Sequence, residues 1–150
     1  MYKEFFTKKL GEIAEIQFGL YQKKEDKGTI KYLHSSHFDE YLNPTNFDDC
    51  FIELDSKNEK FLLQANDVIL TGKGQRIFAW AYDEQFGKTV PSSLFYIIRT
   101  NPDEVLGNYL ASYLNTNRMQ HELTLIGSGS SITSIPKKEL QEINIVLPPI

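Results

Sequence analysis

The stretch that decides the fold is LLQANDVILTGKGQRIFAWAY, from Leu62 to Tyr82. Its middle holds an apolar run, Val68 to Leu70, bounded by turn-forming residues, and this pattern is typical of a short buried strand. A Gly-Lys-Gly loop follows at 72–74, and a second strand is predicted through the rest of the stretch. Phe78 and Trp80 alternate there with small residues, so we assign both rings to the core or to a sheet face.

Further strands are predicted on both sides of this stretch. The segments are KKLGEIAEIQFG (8–19), which reads as a strand or a strand and turn, IKYL (30–33), CFIEL (50–54) and KTVPSSLFYIIRT (88–100). QKKEDKGT (22–29) is a polar loop, and the strand at 30–33 breaks at Ser35-Ser36. Pro91 marks an edge or a bulge, because proline cannot donate a hydrogen bond to a ladder.

Helices are predicted late in the chain. Asn101 as N-cap and Pro102 at the first helical position are a start signal for a helix through Leu114. After an interruption at 115–117 a second helix runs through Leu123, and the Gly/Ser loop, a short helix opened by Pro136 and a final strand, INIVL (143–147), follow. Strands first and helices later predict an α+β fold: a mixed or antiparallel twisted sheet with short helices in the C-terminal half.

Composition is that of a globular chain with no secretory or membrane-spanning segment. Of its 150 residues, 41% are hydrophobic and 24% charged, and the length suits one domain. No apolar run approaches the roughly 20 residues that cross a bilayer, and the charged N-terminus lacks a signal-peptide core. Cys50 is the single cysteine and suits a reducing compartment. We therefore expect a cytoplasmic protein.

Charge is segregated along the chain. The net charge of −4 argues mildly against a nucleic-acid partner, although distribution matters more than the sum. Seven acids and one base, Lys57, lie between His37 and Glu59, whereas Lys73 and Arg76 are unopposed within 72–81. A basic face opposite an acidic one and simply scattered solvated charge both fit this pattern.

The sequence lacks the common catalytic motifs. TGKGQR has neither the upstream glycine nor the Ser/Thr of a phosphate-binding loop, and GSGSS fits neither dinucleotide-binding nor nucleophile-elbow spacing. His34 and His37 have no third ligand at zinc spacing. We therefore expect no cofactor, no metal and no catalytic residues, and interpret the chain as a binding module.

Taken together, four segments resemble the target recognition domain of type I restriction–modification specificity subunits. They are KKLGEIAEIQFG (8–19), LLQANDVILTGKG (62–74), VPSSLFYIIRTNPDEVLGNYLASYLNT (90–116) and GSGSSITSIPKKELQEINIVLPP (127–149). In the second segment Asn66 replaces the family's usual glycine, while Asp67, Val68, Ile69 and Leu70 match. The order and spacing of the four segments carry the resemblance, and it covers nearly the whole chain.

The resemblance implies a function for the whole chain. Residues 1–150 are expected to form a single DNA target recognition domain; the spacer helix that follows the double proline in the family is absent from this sequence. Such a domain reads one half-site of a bipartite target in double-stranded DNA. It directs methyltransferase subunits, and in some complexes a restriction subunit, and is not itself an enzyme. The target bases and the half-site are not implied.

Candidate DNA contacts follow from side-chain chemistry on the predicted loops. Arg76 can pair with guanine and Gln75 with adenine, beside Lys73 on its glycine-flanked loop. Short polar readers are expected where the strand breaks. The remaining phosphate or backbone candidates lie in lysine-rich and Gly/Ser stretches, with one tyrosine past Gly19 that can stack or contact a sugar. The full set is Lys73, Gln75, Arg76, Ser35, Ser36, His37, Lys23, Lys24, Lys31, Tyr21, Ser128, Ser130 and Ser131.

Each assignment has a structural alternative. Arg76 can pair with an acid such as Asp67, Gln75 can cap a turn, Tyr21 can pack at a rim, and the Gly/Ser run can be a simple connector. For the whole chain, a protein-interaction or carbohydrate-binding module explains the acidic net charge and the Tyr/Phe excess directly. The placement of the acids between 39 and 59 relative to Lys73 and Arg76 discriminates between the two functions.

Overall fold

The computed structural model describes residues 5–22, 28–45, 51–74, 76–127 and 133–148. In chain order the helices and strands are β1 Phe6–Lys9, α1 Leu10–Ile13, β2 Ala14–Phe18, β3 Ile30–Leu33, β4 Phe51–Ile52, β5 Val68–Thr71, β6 Lys73–Gly74, β7 Ala79–Ala81, β8 Thr89–Pro91, β9 Phe95–Thr100, α2 Gly107–Leu114, α3 Asn117–Ile126, β10 Thr133–Ser134, α4 Lys137–Gln141 and β11 Asn144–Leu147. The fold is α+β with mostly antiparallel pairing and its longer helices in the C-terminal half, which confirms the predicted class.

A four-stranded antiparallel sheet in the order β2-β9-β5-β7 forms the centre of the molecule. Every residue of β5 is buried, so this strand is covered on both faces. Val68 and Leu70 pack with the helices in one cluster, whereas Ile69 packs on the other face with Phe78 and Phe95. Because successive side chains alternate across a strand, this short apolar run supplies both cores. The predicted buried strand at Val68 to Leu70 is confirmed.

Smaller sheets flank the central one. β3 pairs antiparallel with β4 and parallel with β8, and this second sheet has its own apolar cluster. β1 pairs with β11 along four residues. The predicted strand at 8–19 is therefore two strands separated by the single helical turn α1, whose Leu10 and Ile13 are buried.

The predicted start of the first long helix is wrong. Asn101 does cap the chain locally, since its Oδ1 accepts from the Asp103 amide at 2.9 Å, but residues 102–104 form a turn and α2 begins at Gly107. The second helix begins where the interruption was predicted. Thr116 is its N-cap and accepts from the Met119 amide at 3.3 Å, as N-cap hydroxyls do.

Asn66 explains why a helix can begin at Gly107. Asn66 has φ 74°, a left-handed conformation that glycine and asparagine adopt most easily. Its Oδ1 accepts from the Gly107 amide at 2.6 Å, and its Nδ2 donates to Thr100 Oγ1 at 2.8 Å. Asn66 therefore adopts a conformation that glycine also adopts easily, and its side chain caps α2.

Candidate nucleic-acid interface

Strand direction gathers several connections at one end of the central sheet. The last residues of β2 and β5 lie at the same edge as the first residues of β7 and β9. β3 runs parallel to β8 toward this edge, with Leu33 opposite Pro91. Segments 19–22, 34–45, 72–78 (apart from residue 75, which the structure does not describe) and 92–94 therefore emerge together, and we call this the loop end. Loops supported by a rigid scaffold are where binding residues concentrate.

The turn at 92–94 joins these segments. The Ser92 amide donates to Leu33 O at 2.9 Å, and the Gly72 amide donates to Leu94 O at 2.8 Å. The Gly19 amide donates to Phe95 O and the Leu20 amide to Pro91 O, both at 2.9 Å. One short turn thus fixes the starts of the three other segments relative to one another.

Two glycines make this close approach possible. A Cβ at Gly19 would lie 2.1 Å from Ser92 O, and a Cβ at Gly72 would lie 2.6 Å from the Tyr96 ring. Neither backbone oxygen nor a buried ring can yield that much space without a rearrangement. The glycine that opens the Gly-Lys-Gly loop is therefore required by packing against Tyr96.

Strand β6, which contains Lys73, pairs with strand β10, which follows the Gly/Ser run in the sequence. Lys73 lies opposite Ser134, and Gly74 opposite Thr133; in addition, the Ile135 amide donates to Gly72 O at 2.7 Å. Lys73 is exposed. The structure thus pairs Lys73 with residues that follow the Gly/Ser run in the sequence. Six of the predicted contact residues lie outside the described residues: Gln75, Lys23, Lys24, Ser128, Ser130 and Ser131.

The predicted readers after β3 differ in exposure. Ser35, Ser36 and His37 form a single 3-10 turn, in which Ser36 is exposed, Ser35 is half-buried and His37 is buried. The His37 Nδ1 accepts from the His34 amide at 2.9 Å, so this ring supports the loop from inside. Among these residues Ser36 presents its side chain to solvent.

The guanidinium of Arg76 bonds to the same loop. It donates to the carbonyl oxygens of Ser35, Phe38 and Asp39 and lies 4.7 Å from the centre of the Phe78 ring. Pairing of Arg76 with Asp67, the alternative suggested by the sequence, does not occur, because Asp67 pairs with Arg99.

Lys31 and Tyr21 lie in different surroundings. The Lys31 Nζ donates to Phe86 O and lies 4.1 Å from the centre of the Phe86 ring. Lys31 lies near the start of β3, opposite Thr89, whereas the loop end begins after the last residue of β3. Tyr21 lies at the loop end and is 87% exposed, so its ring is open to a partner.

Sequence reasoning missed Ser93 and Leu94. Leu94 is 40% exposed although it lies at the junction of the segments, and its carbonyl also accepts from the Lys73 amide at 3.2 Å. The Ser-Ser pair after Pro91 was the available signal, since small polar residues between two strands favour a turn. The central position of this turn depends on hydrogen bonds with residues 19–20 and 72–73. These residues are distant in the sequence, so no local sequence pattern predicts the contacts.

The opposite end of the sheet is held by an ion pair. Arg99 donates to Asp67 through Nε at 2.9 Å and Nη2 at 2.8 Å, and the side chains are 29% and 1% exposed. The hydrogen bonds to Asp67 are the main cause that raises the pKa of Arg99 above its ordinary value. This pair fixes the turn before β5 to β9 and lies away from the loop end.

Charge at the loop end is mixed. The carboxylate of Asp39 accepts from the amides of Tyr41 and Asn43, both at 2.9 Å, so this acid orders its own loop. Asp55 bonds likewise to the amides of Lys57 and Asn58, in a turn that follows β4 beyond the start of β3. The acids at 53–59 therefore lie away from Lys73, while Asp48 and Asp49 are outside the described residues.

The described ranges hold neither a cluster of metal-ligating side chains nor a membrane-spanning helix. Within them no three His, Cys, Asp or Glu side chains come close enough to share a metal ion. None of the helices in the part of the chain that the structure describes has the length and apolar character needed to cross a membrane.

Solved structures with the same fold come from type I restriction–modification systems. The S subunit from M. genitalium has a TM-score of 0.63 and 11% identity, over 95% of this chain and 34% of that chain. The HsdS subunit from Thermoanaerobacter tengcongensis has a TM-score of 0.64 and 20% identity, over 97% and 33%. A chain from a structure of the type I R-M system, solved to explain complex assembly and conformational transition, has a TM-score of 0.64 and 19% identity, over 100% of this chain and 35% of that chain. This chain thus spans about a third of their length.

Sequence comparison identifies the family. No curated protein sequence matches significantly. The family described as type I restriction modification DNA specificity domain matches residues 2–150, which is nearly the full length of 150 residues and agrees with the fold. The chain therefore belongs to the family of type I restriction modification DNA specificity domains.

Proposed function

We propose that this chain is a single target recognition domain that reads one half-site of a bipartite target in double-stranded DNA. In this role it directs the methyltransferase subunits, and the restriction subunit where one is present, of a type I restriction–modification system. It supplies specificity, and the partner subunits supply the chemistry. The neighbours of known structure are S subunits or belong to a type I R-M system, and family membership supports this role for the chain.

The observation that carries the proposal is the convergence of segments 19–22, 34–45, 72–78 and 92–94 at the loop end. Base edges in a major groove present a dense donor and acceptor pattern within a few ångströms. Reading them requires several side chains held in fixed relative positions. The backbone hydrogen bonds around the 92–94 turn supply such a fixed arrangement.

The side chains divide between two kinds of contact. At the loop end, Ser36 and Ser93 have hydroxyl groups that pair with base edges, and Leu94 can contact a thymine methyl. Gln75, which lies outside the described residues, has an amide group suited to the same kind of contact. Phosphate and sugar contacts, which set the register on the duplex, are assigned to lysines, to the Gly/Ser run and to a tyrosine. These phosphate or sugar candidates are Lys73, Lys23, Lys24, Lys31, Ser128, Ser130, Ser131 and Tyr21.

The test is methylome sequencing of cells that carry this protein with its methyltransferase subunits. We expect methylation at a two-part motif, and we expect Ser36→Ala combined with Leu94→Ala to change base preference in one half while the other half is kept. A matched surface variant is Lys88→Ala, since Lys88 is exposed and precedes β8 at the end away from the loop end. A motif unchanged by the loop-end variant, or the absence of any motif, contradicts the proposal.

Binding of a protein or a carbohydrate is the second candidate, and one observation favours it. Tyr21 and Tyr41 are 87% and 77% exposed, and exposed tyrosines occur at both kinds of interface. The methylome experiment separates the candidates, because a module without DNA specificity leaves the motif independent of loop-end residues.

A further inference from the structure

Arg76 reaches across the loop end to a segment almost 40 residues earlier. Its Nη1 donates to Asp39 O at 3.0 Å. Its Nη2 donates to Phe38 O at 3.1 Å and to Ser35 O at 3.2 Å. Both terminal nitrogens of the guanidinium are thus engaged with backbone carbonyls of one short turn.

The guanidinium donates to three carbonyl oxygens of this turn. Three carbonyl oxygens point toward one position, and carbonyl dipoles aligned in this way repel unless a donor group satisfies them. The planar guanidinium supplies several N–H groups in fixed directions. It is supported from below by the buried Phe78 ring, whose centre lies 4.7 Å away, a distance at which cation–π attraction contributes.

The same geometry is poorly suited to reading guanine. A bidentate contact to O6 and N7 uses two N–H groups of the guanidinium edge, and in this structure both terminal nitrogens already bond within the protein. Turning the group toward a base would remove three hydrogen bonds that tie the loop to Arg76. Ser35 O and Asp39 O would keep the amides of Phe38 and Leu42 as donors, so the loss falls on the link between the two segments and each lost bond disfavours the move.

We infer that Arg76 is a positioning residue: it holds the 34–45 loop in its reading conformation and does not itself contact a base. The inference rests on the proposed function for its consequence in DNA recognition. Ser36 and Tyr41, which are exposed on that loop, are the groups whose placement Arg76 sets. Segments 72–78 and 34–45 therefore act as one reading unit.

The first experiment needs no DNA. Hydrogen exchange of the 150-residue chain is compared for wild type, Arg76→Ala, Arg76→Lys and the control Lys73→Ala. The reporting amides of the loop are hydrogen-bonded within it: His37 to His34 O, Phe38 to Ser35 O, Asp39 to Asn43 O, Leu42 to Asp39 O and Thr45 to His37 O.

We expect exchange in 35–45 to become about tenfold faster or more in Arg76→Ala. Arg76→Lys is expected to rescue it only in part, because a lysine ammonium lacks the planar fork. Exchange in β5 and β9 and the melting temperature are expected to stay close to wild type, which separates positioning of one loop from support of the whole fold. Unchanged exchange in 35–45 overturns the inference.

The second experiment measures base preference with a randomised duplex library and the protein assembled with its methyltransferase subunits. We expect Arg76→Ala to relax preference at two or more adjacent base pairs, with an unchanged slope of log affinity against log salt. Relaxation at one base pair alone identifies a base reader, and a slope smaller by about 0.9 with uniform weakening identifies a phosphate contact; either result overturns the inference. A library in which no sequence is enriched counts against the proposed function alone, while the exchange experiment still decides the role of Arg76.

Discussion

Replacing Arg99 by methionine removes one half of a mostly buried ion pair. Asp67 is fully buried and receives two hydrogen bonds from Arg99, at 2.9 and 2.8 Å. After the change its carboxylate keeps the Gln64 amide at 2.7 Å, but it has lost its counter-charge. A carboxylate buried without a counter-charge destabilises the folded state, because desolvation of the ion is no longer offset.

The expected magnitude follows from the exposure of the pair. Breaking a buried ion pair from one side costs about 3–5 kcal/mol. The Arg99 side chain is 29% exposed, so water can reach part of the vacated space, and we expect the lower end, about 3 kcal/mol. For a chain of this length that loss lowers the melting temperature by about 6–12 °C.

The assay is urea and thermal unfolding of wild type, Arg99→Met, Asp67→Asn and the double variant. The double variant is expected to be more stable than Arg99→Met, because it removes the uncompensated charge, and the cycle gives the coupling energy. Lys9→Met is the matched control. Its ion pair with Glu142 has side-chain exposures of 51% and 61%, and exposed pairs contribute little.

A melting temperature of Arg99→Met no lower than that of Lys9→Met would refute the reasoning. Base preference provides a second check. Arg99 and Asp67 lie at the end of the sheet away from the loop end, so we expect Arg99→Met to keep the methylation motif at a temperature where the variant is folded.

Three further predictions concern single residues. Asn66→Ala is expected to lose about 1–3 kcal/mol in urea unfolding, from left-handed strain and the lost cap on Gly107; Asn66→Gly should lose less, and equal losses would contradict the strain. Gly19→Ala places a Cβ 2.1 Å from Ser92 O, so we expect a loss of about 1–3 kcal/mol, and an unchanged urea midpoint would count against the close approach. Burial is the main cause that raises the pKa of Tyr96. A raised pKa in the folded state contributes stability that is present below about pH 10 and is lost as the pH rises through the folded pKa. The melting temperature between about pH 9 and 11 should therefore fall less steeply in Tyr96→Phe than in wild type, and equal slopes of melting temperature against pH would exclude this tyrosine as the cause.

Local patterns predicted much of the fold because they report local physics. The apolar run Val68 to Leu70 is β5, and the interruption at 115–117 separates α2 from α3. The start signal at Asn101 failed for a tertiary reason. The side chain of Asn66, distant along the chain, caps Gly107 and sets where α2 begins.

The candidate site was predictable only in its parts. The glycine-flanked Lys73 and the Gly/Ser run were singled out by composition. In the structure Lys73 and Gly74 pair with Ser134 and Thr133, which follow that run in the sequence. The central turn at 92–94 was missed, because its importance comes from hydrogen bonds that the turn and its flanking residues make with Gly19, Leu33 and Gly72. Sequence order carries no information about which loops meet at one edge of a sheet.

By itself the sequence determined the class of fold, because hydrophobic periodicity and turn signals are local properties of the chain. Its family was indicated by the resemblance of four segments and is shown by the match over residues 2–150. Only the tertiary structure decided what Arg76 contacts. In the sequence Arg76 is a cation on a short loop and suits DNA; in the fold its guanidinium faces three carbonyls of the 34–45 loop. The physical reason is strand direction: β3 and β5 end at the same edge, so a side chain and its partners almost 40 residues apart come within hydrogen-bonding distance.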